Sequence, residues 1–362
     1  MANKILVLNT GSTSTKLAVY FGDKKEIQQE YSHSEETLRQ FTRVVEQLPI
    51  RREIAYTFVD TIASACAPFD AVVALGGFLG PIRPGGYEIN KAMVEYALNS
   101  TEEHASNLAP SIAYDFKQKY NIPRAFVYDS ISSDELEPIA RITGIPDLPK
   151  VALCHMLNMR ATALKIAKVI GKDYNKATFI IAHIGGGISL SIHHNGKVVD
   201  TIADDEGPFA PERAGGHQAV QLLKYMEKVP SLLGKIKVMR GNSGLRGYFG
   251  TSDVREVEKL IAAGDEKAKL VFEAMAYKIS KAIAGLSVVS YGKVDCIILT
   301  GGVANSKAMA DLIAKRTMHI APLRVCPGEN EMESLAMGAN RILNGEETAQ
   351  EFPHDIATPI NS

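Results

Sequence analysis

The chain starts the same construction twice. Residues 7–20, VLNTGSTSTKLAVY, run from an apolar strand into a turn of Gly, Ser and Thr, then out into an alternating strand that begins at Lys16. Residues 178–200, TFIIAHIGGGISLSIHHNGKVVD, repeat the plan: apolar strand, glycine turn, alternating strand, tight Asn195-Gly196 turn, third strand. Aligning Gly11 with Gly185 sets Asn9 opposite His183. A related junction, VDCIILTGGVANS (294–306), carries a buried strand into Gly301-Gly302 and a helix start. Two similar heads leading two halves of a 362-residue chain predict a duplicated α/β protein of two domains.

The rest of the pattern agrees with an α/β class. DAVVALGG (70–77) and RAFVYD (124–129) are short, continuous apolar runs of the kind that fill parallel sheets. Residues 34–48, 54–65, 104–120 and 155–171 space their apolar residues three and four apart and predict helices, with Gly171 a natural stop. The Pro/Gly-rich GIPDLPK (144–150) predicts a domain boundary near residue 150, and the tail EFPHDIATPINS (351–362) predicts irregular structure. A net charge of −1 without a basic run predicts no nucleic-acid partner and no anionic membrane surface. The apolar runs are far shorter than the roughly 20 residues a membrane span needs. The N-terminus has no signal-peptide pattern, and Cys66, Cys154, Cys296 and Cys326 are widely separated, so a cytoplasmic protein with reduced thiols is expected.

Glycine lets backbone N–H groups approach an anion closely, and Ser and Thr add hydroxyl donors. One such turn reads as an ordinary hairpin. Two, plus LTGG (299–302), point to polyphosphate, with Lys16 as a point charge. The pattern is neither a P-loop, because GxxxxGK[ST] is missing, nor a dinucleotide fingerprint, because GGGIS lacks GxGxxG. DDEGPFAPERAGG (204–216) places Arg213 where its planar fork could clamp a carboxylate or phosphoryl group. Asp129, at a strand end, and Glu331 are carboxylate candidates for orienting Mg²⁺, which takes few protein carboxylates beside substrate phosphates. His104, His155 and His183 lie at element edges without zinc spacing.

Taken together, LNTGSTSTK, EEHASNL, DELEPIARITGIP, HIGGGIS, DEGPFAPERAG, ILTGG and PGENEM resemble the acetate kinase family in its butyrate kinase branch, within the acetate and sugar kinase/Hsp70/actin superfamily. The similarity runs from residue 4 to about 347 with the motifs in order. It implies two duplicated ribonuclease-H-like (actin-like ATPase) domains with mixed sheets flanked by helices and a cleft between them. The C-terminal helix would return to the first, giving domains 1–150 plus 335–362 and 151–334. It also implies a reversible reaction of ATP with a short-chain carboxylate to give ADP and the acyl phosphate, a Mg²⁺ requirement, and a homodimer or higher homo-oligomer.

Carried over by position, Asn9 and Ser12 would lie near the phosphates and metal, with Ser14 and Lys16 behind them. His155 would hydrogen-bond the transferring phosphoryl, with His104 nearby. Asp129 would position the carboxylate or the metal, and Arg213 would neutralise transition-state charge. Asn9 and Glu331 would serve the metal, the latter through water. His183 and Gly185, Gly186 and Gly187 would bind the β-phosphate, and Gly301 and Gly302 would face the adenosine. Such a site works by placement and charge neutralisation.

One departure stands out. The family's arginine before the glycine pair is replaced by Leu75, ahead of Gly76-Gly77; Gly80 stands where a basic residue is common, and Arg83 where a small or apolar one is. A lost charge-assisted contact costs roughly 1.5–3 kcal/mol, enough to change the preferred acid. The alternatives left open are rescue by Arg83, a different acid, a nucleotide-binding relative without turnover, and, more weakly, a hydroxyl acceptor with Asp129 as base.

Overall fold

The computed structural model describes residues 2–353; the remainder of the tail expected to be irregular, 354–362, lies outside the described residues. The chain forms two compact units, one of residues up to Asp134 together with those from Asn330 onward, the other of Glu135–Glu329.

The first unit holds a sheet of β1 (Lys4–Thr10), β2 (Ser14–Phe21), β3 (Lys24–Ser32), β4 (Ala71–Leu75), β5 (Gly86–Glu88), β6 (Arg124–Tyr128) and β12 (Gln350–Glu351). Their order is β12-β5-β6-β4-β1-β2-β3. β1, β2 and β3 form an antiparallel meander, and β4 and β6 extend it in parallel from β1. Alternation along β1 divides its side chains between two helical layers. Leu6 and Leu8 join a cluster with Phe58, Ile112 and Phe116 from the helices Leu48–Cys66 and Ala109–Lys119. The helix Glu331–Leu343 packs on β1, β4 and β6. It comes close enough to β6 that a Cβ added at Gly338 would lie 2.7 Å from the Tyr128 ring. Each such aliphatic side chain removed from water contributes about 1.5–3 kcal/mol.

The second unit repeats the plan with β7 (Thr178–Ile184), β8 (Ile188–His194), β9 (Lys197–Ile202), β10 (Cys296–Thr300) and β11 (Leu323–Val325), in the order β11-β10-β7-β8-β9. Here too the first three strands form an antiparallel meander, and β10 and β11 extend it in parallel. The turn after β1 and the turn after β7 therefore occupy equivalent positions in two equivalent sheets. These mixed sheets flanked by helices are the α/β class read from the sequence.

Three details differ from expectation. Residues 34–48 are not one helix: Glu35–Leu38 and the 3-10 turn Val44–Gln47 are separated, because the Glu46 carboxylate accepts from the N–H groups of Thr42 (2.8 Å) and Arg43 (3.1 Å) and starts a new turn there. The stretch 144–150 belongs with the second unit, held by Lys150, whose ammonium lies 3.0 Å from Asp200 and 3.3 Å from Glu206. A Pro/Gly-rich composition marks irregular backbone, not the residue at which contacts change partners. The tail begins in order: Gln350–Glu351 pair in parallel with β5, and Phe352 is buried. Among the described residues no helix is long and apolar enough to cross a membrane.

Candidate active site

In the first unit the opening turn is built around a side chain that sequence reasoning did not single out. Arg51, on the helix Leu48–Cys66, is 0% exposed. Its Nη1 donates to the carbonyls of Gly11 (2.9 Å) and Ser14 (3.0 Å) and to Thr15 Oγ1 (3.2 Å), and its Nη2 donates to the carbonyl of Ser12 (3.2 Å). The buried Gln47 Oε1 accepts from its Nε (3.1 Å) and Nη2 (2.9 Å). Ser12 and Thr13 are exposed at the tip, and Ser14 is buried.

Asn9, next to last in β1, is buried beside this turn. Its Nδ2 donates to Glu331 Oε2 at 2.6 Å, which fixes the amide with Oδ1 turned away; that Oδ1 is buried and has no hydrogen-bond partner among the described residues. Glu331 opens the helix Glu331–Leu343. The pair thus presents oxygen atoms, the donor type a hard divalent cation takes. Lys16 lies opposite Asn9 in the β1–β2 register, and its ammonium is 3.9 Å from Glu30 on β3. Thr10 Oγ1 donates to the Ala105 carbonyl (2.8 Å), tying the end of β1 to the 3-10 turn that His104 caps. His104 Nδ1 accepts from Ser106 N–H (3.2 Å), so its neutral form carries the proton on Nε2. Burial, then the charge of Arg51, holds its pKa below the usual histidine value. Asp129, 1% exposed, follows β6 in the left-handed region (φ 44°), and its Oδ1 accepts from Gly85 N–H at 2.7 Å.

In the second unit His155 and His183 come together. His183, on β7, is buried, and its ring stacks on His155 with centroids 3.8 Å apart and planes 6° from parallel. Register explains the pairing: Ser189 on β8 is the cross-strand partner of His183, and Ser189 Oγ lies 2.8 Å from His155 Nδ1. Asn158, one turn into the helix Met156–Val169, was also missed. Its Nδ2 donates to the carbonyls of Gly328 (3.1 Å) and Glu329 (2.7 Å), so its Oδ1 must accept, from Thr300 Oγ1 (3.0 Å) and from His183 Nδ1 (3.1 Å). Neutral His183 therefore carries its proton on Nδ1. Its Nε2 is buried, has no hydrogen-bond partner among the described residues, and lies 3.8 Å from Glu329 Oε1. Burial, then the neighbouring His155, pushes the His183 pKa well below its ordinary value.

The glycine turn at Gly185, Gly186 and Gly187 is closed by Gly185 N–H donating to Gly187 O (2.9 Å). A Cβ at Gly187 would lie 2.9 Å from Asp204 Oδ2, and one at Gly186 3.3 Å from Glu212 Oε2. Arg213 reaches the same turn through Asp204, to which its Nε donates at 2.9 Å. Gly301 has φ +86°, and a Cβ there would lie 2.5 Å from the Ile184 carbonyl, so a side chain is excluded by β7. At Gly302 nothing lies within 4 Å of an added Cβ; that position is open.

The missed residues share one trait. All four hold candidate site atoms in place; Arg51, Gln47 and Asn158 carry no motif, and Ser189 closes HIGGGIS but meets its partner His155 only in the fold. The signal the sequence offers for Arg51 is a charged pair, Arg51-Arg52, at the start of an amphipathic helical stretch.

Among the described residues, no group of three His, Cys, Asp or Glu side chains stands ready to hold a metal. A cation at Asn9 and Glu331 would complete its shell with phosphate oxygens and water, as Mg²⁺ does. Each unit by itself leaves room beside its glycine turn, at the exposed tip of Ser12 and Thr13 in the first and at Gly302 in the second, the kind of space a phosphate group takes.

Duplicated mixed sheets, each with a glycine-containing turn after its first strand, define the class by fold: an actin-like ATPase fold. Solved structures agree on the fold: an acetate kinase of Porphyromonas gingivalis (TM-score 0.77, 21% identity, 96% of this chain and 100% of that one) and a propionate kinase of Francisella tularensis subsp. tularensis (TM-score 0.71, 18% identity, 93% and 98%). Residues 155–351 match the model of the acetokinase family. A protein of Enterococcus faecalis named probable butyrate kinase is 40% identical over 352 residues, covering 96% of this chain and 97% of its own. The chain belongs to the acetokinase family and is an enzyme of the carboxylate kinase class.

Proposed function

We propose that the chain phosphorylates butyrate or a branched short-chain acid from ATP, reversibly, by direct in-line transfer of the γ-phosphoryl group. The observation that carries the reading is the repeated glycine turn, backed in the first unit by Asn9 and Glu331 and in the second by the His155–His183 stack and Arg213. The choice of a four- or five-carbon acid rests on the 40% identity to the protein named probable butyrate kinase.

A bound Mg²⁺ would neutralise phosphate charge and orient the leaving group. Asn9 Oδ1 and Glu331 would hold it, the carboxylate through water. The N–H groups and hydroxyls at Ser12 and Ser14, with Lys16, would bind phosphate oxygens, and Gly185, Gly186 and Gly187 would accept the β-phosphate at contact distance. His104 and His155 would donate to the transferring group, and Arg213 would neutralise the charge that grows on it. His183 Nε2 would meet the nucleotide as an acceptor unless it gains a proton on binding. Asp129 would orient the acid, and Gly301-Gly302 would border the adenosine. The carboxylate is already an anion at neutral pH, so no general base is needed. The two compact units would serve as the two domains of the kinase. A cytoplasmic homodimer working on small molecules completes the proposal. Family membership, and motifs that are intact apart from Leu75 and its loop, disfavour a relative that has lost catalysis.

Hydroxylamine trapping of acyl phosphate across acetate, propionate, butyrate, isobutyrate and valerate tests the reading. It expects the highest kcat/KM with a four- or five-carbon acid. Highest kcat/KM with acetate would overturn the choice of substrate, and no product with any acid would overturn the activity.

A further inference from the structure

Arg51 is buried, and among the described residues it has no carboxylate partner. All five of its acceptors are neutral: the carbonyls of Gly11, Ser12 and Ser14, the Thr15 hydroxyl and the Gln47 amide oxygen. A guanidinium withdrawn from water without a counter-ion is costly to a fold. The cost is visible in its pKa, which burial lowers to about 10. Its field reaches the neighbouring His104 and His33, each of which it helps hold in the neutral form.

The geometry also turns the backbone over. In a trans peptide the carbonyl and the following N–H point to opposite sides. With the Gly11 and Ser12 carbonyls drawn down onto Arg51, the N–H groups of Ser12 and Thr13 face the other way, at the exposed tip. The third carbonyl of the tip, that of Thr13, is held by His33 N–H at 2.8 Å. The turn is thus fixed with donors outward over a buried, uncompensated positive charge.

We propose that Arg51 is a positioning residue for the nucleotide phosphates: it orients the Gly11–Ser14 turn and supplies, through that turn and without touching the ligand, the charge that a polyphosphate neutralises. This rests on the nucleotide-binding reading above. Lys16, the basic residue visible in the motif, is half-exposed and close to Glu30, so its charge is partly offset.

The test is calorimetric titration of the full chain with ATP, ADP and adenosine. Gln47→Glu is the decisive variant, because it places a carboxylate on the same guanidinium nitrogens, keeps the fork bonded and cancels its charge. Affinity for ATP should fall about tenfold or more, with a smaller loss for ADP and none for adenosine. Arg51→Met should show the same ladder, and Arg51→Lys should recover part of the ATP affinity. If Arg51→Met does not fold, Gln47→Glu decides alone, since it adds an ion pair and removes no contact. Equal ATP affinity in Gln47→Glu and wild type would overturn the proposal, as would an equal loss for ATP and adenosine, which a merely structural role would give. Wild-type protein that binds adenosine no more weakly than ATP would refute the phosphate reading itself, and the proposal with it.

Discussion

Arg213→Ala separates catalysis from folding more cleanly than other changes at the site. Arg213 is about one-quarter exposed and donates to Asp204 at 2.9 Å, with Glu212 3.8 Å away. Removing it strands neither carboxylate: Asp204 keeps Arg240 at 3.1 Å, and Glu212 keeps Arg246 at 2.6 Å. No buried charge is left unpaired, so the loss of stability should be that of a partly exposed ion pair, about 1 kcal/mol. For a unit of this size that lowers Tm by about 2–4 °C. The catalytic loss is of another order. A cation that meets charge developing on a transferring phosphoryl group is worth about 10²- to 10⁴-fold in kcat. If the interaction forms only in the transition state, kcat and kcat/KM fall together and KM for ATP barely moves. Steady-state hydroxamate formation beside a thermal melt reads both quantities. A folded Arg213→Ala protein with near-normal kcat would refute the role assigned to this residue.

Three further outcomes follow from the geometry. Gly302→Ala should leave Tm unchanged, because its Cβ meets nothing, while weakening nucleotide binding; Gly301→Ala should lower Tm by several degrees, because its Cβ strikes the Ile184 carbonyl, and titration calorimetry beside thermal melts would reveal the reverse pattern if the assignment were wrong. Arg83→Ala should raise KM for the acid about ten- to hundredfold without changing KM for ATP if Arg83 takes the part that Leu75 cannot, and an unchanged KM would remove Arg83 from the acid site. His193 is fully buried between Tyr174 and Ser191, and burial lowers its pKa to about 3. It folds neutral, so its contribution is complete above the unfolded value near 6.5 and is lost as pH falls toward 3, about 3 kcal/mol by pH 4.5. Denaturant titrations of His193→Gln should therefore show a shallower acid decline than wild type; parallel curves would contradict the assignment.

What the sequence made legible follows from how local each signal is. The glycine turns were legible because a strand, a turn and a second strand are contiguous, and the same order recurs in β7 and β8. Asn9 and Glu331 were each visible in their motifs, yet their 2.6 Å hydrogen bond joins the two ends of the chain and has no local signature. The stack of His155 on His183 depends on the register that sets Ser189 opposite His183, and a one-residue slip would turn that face over. Arg51 was hidden for another reason. An arginine in an amphipathic helix ordinarily faces water, and only the packed structure shows this one turned inward onto the carbonyls of the opening turn. The helix expected over 34–48 failed at Glu46, whose side chain could have been read as a cap had the helix not been assumed continuous.

The central claim is that this chain moves the γ-phosphoryl group of ATP onto a carboxylate. Phosphorus NMR of the protein with Mg²⁺, ATP and butyrate tests it most directly. An acyl phosphate resonance should grow in step with ADP, with no inorganic phosphate formed alongside. ADP appearing only with inorganic phosphate, or ATP remaining intact beside protein that binds it, would contradict the account.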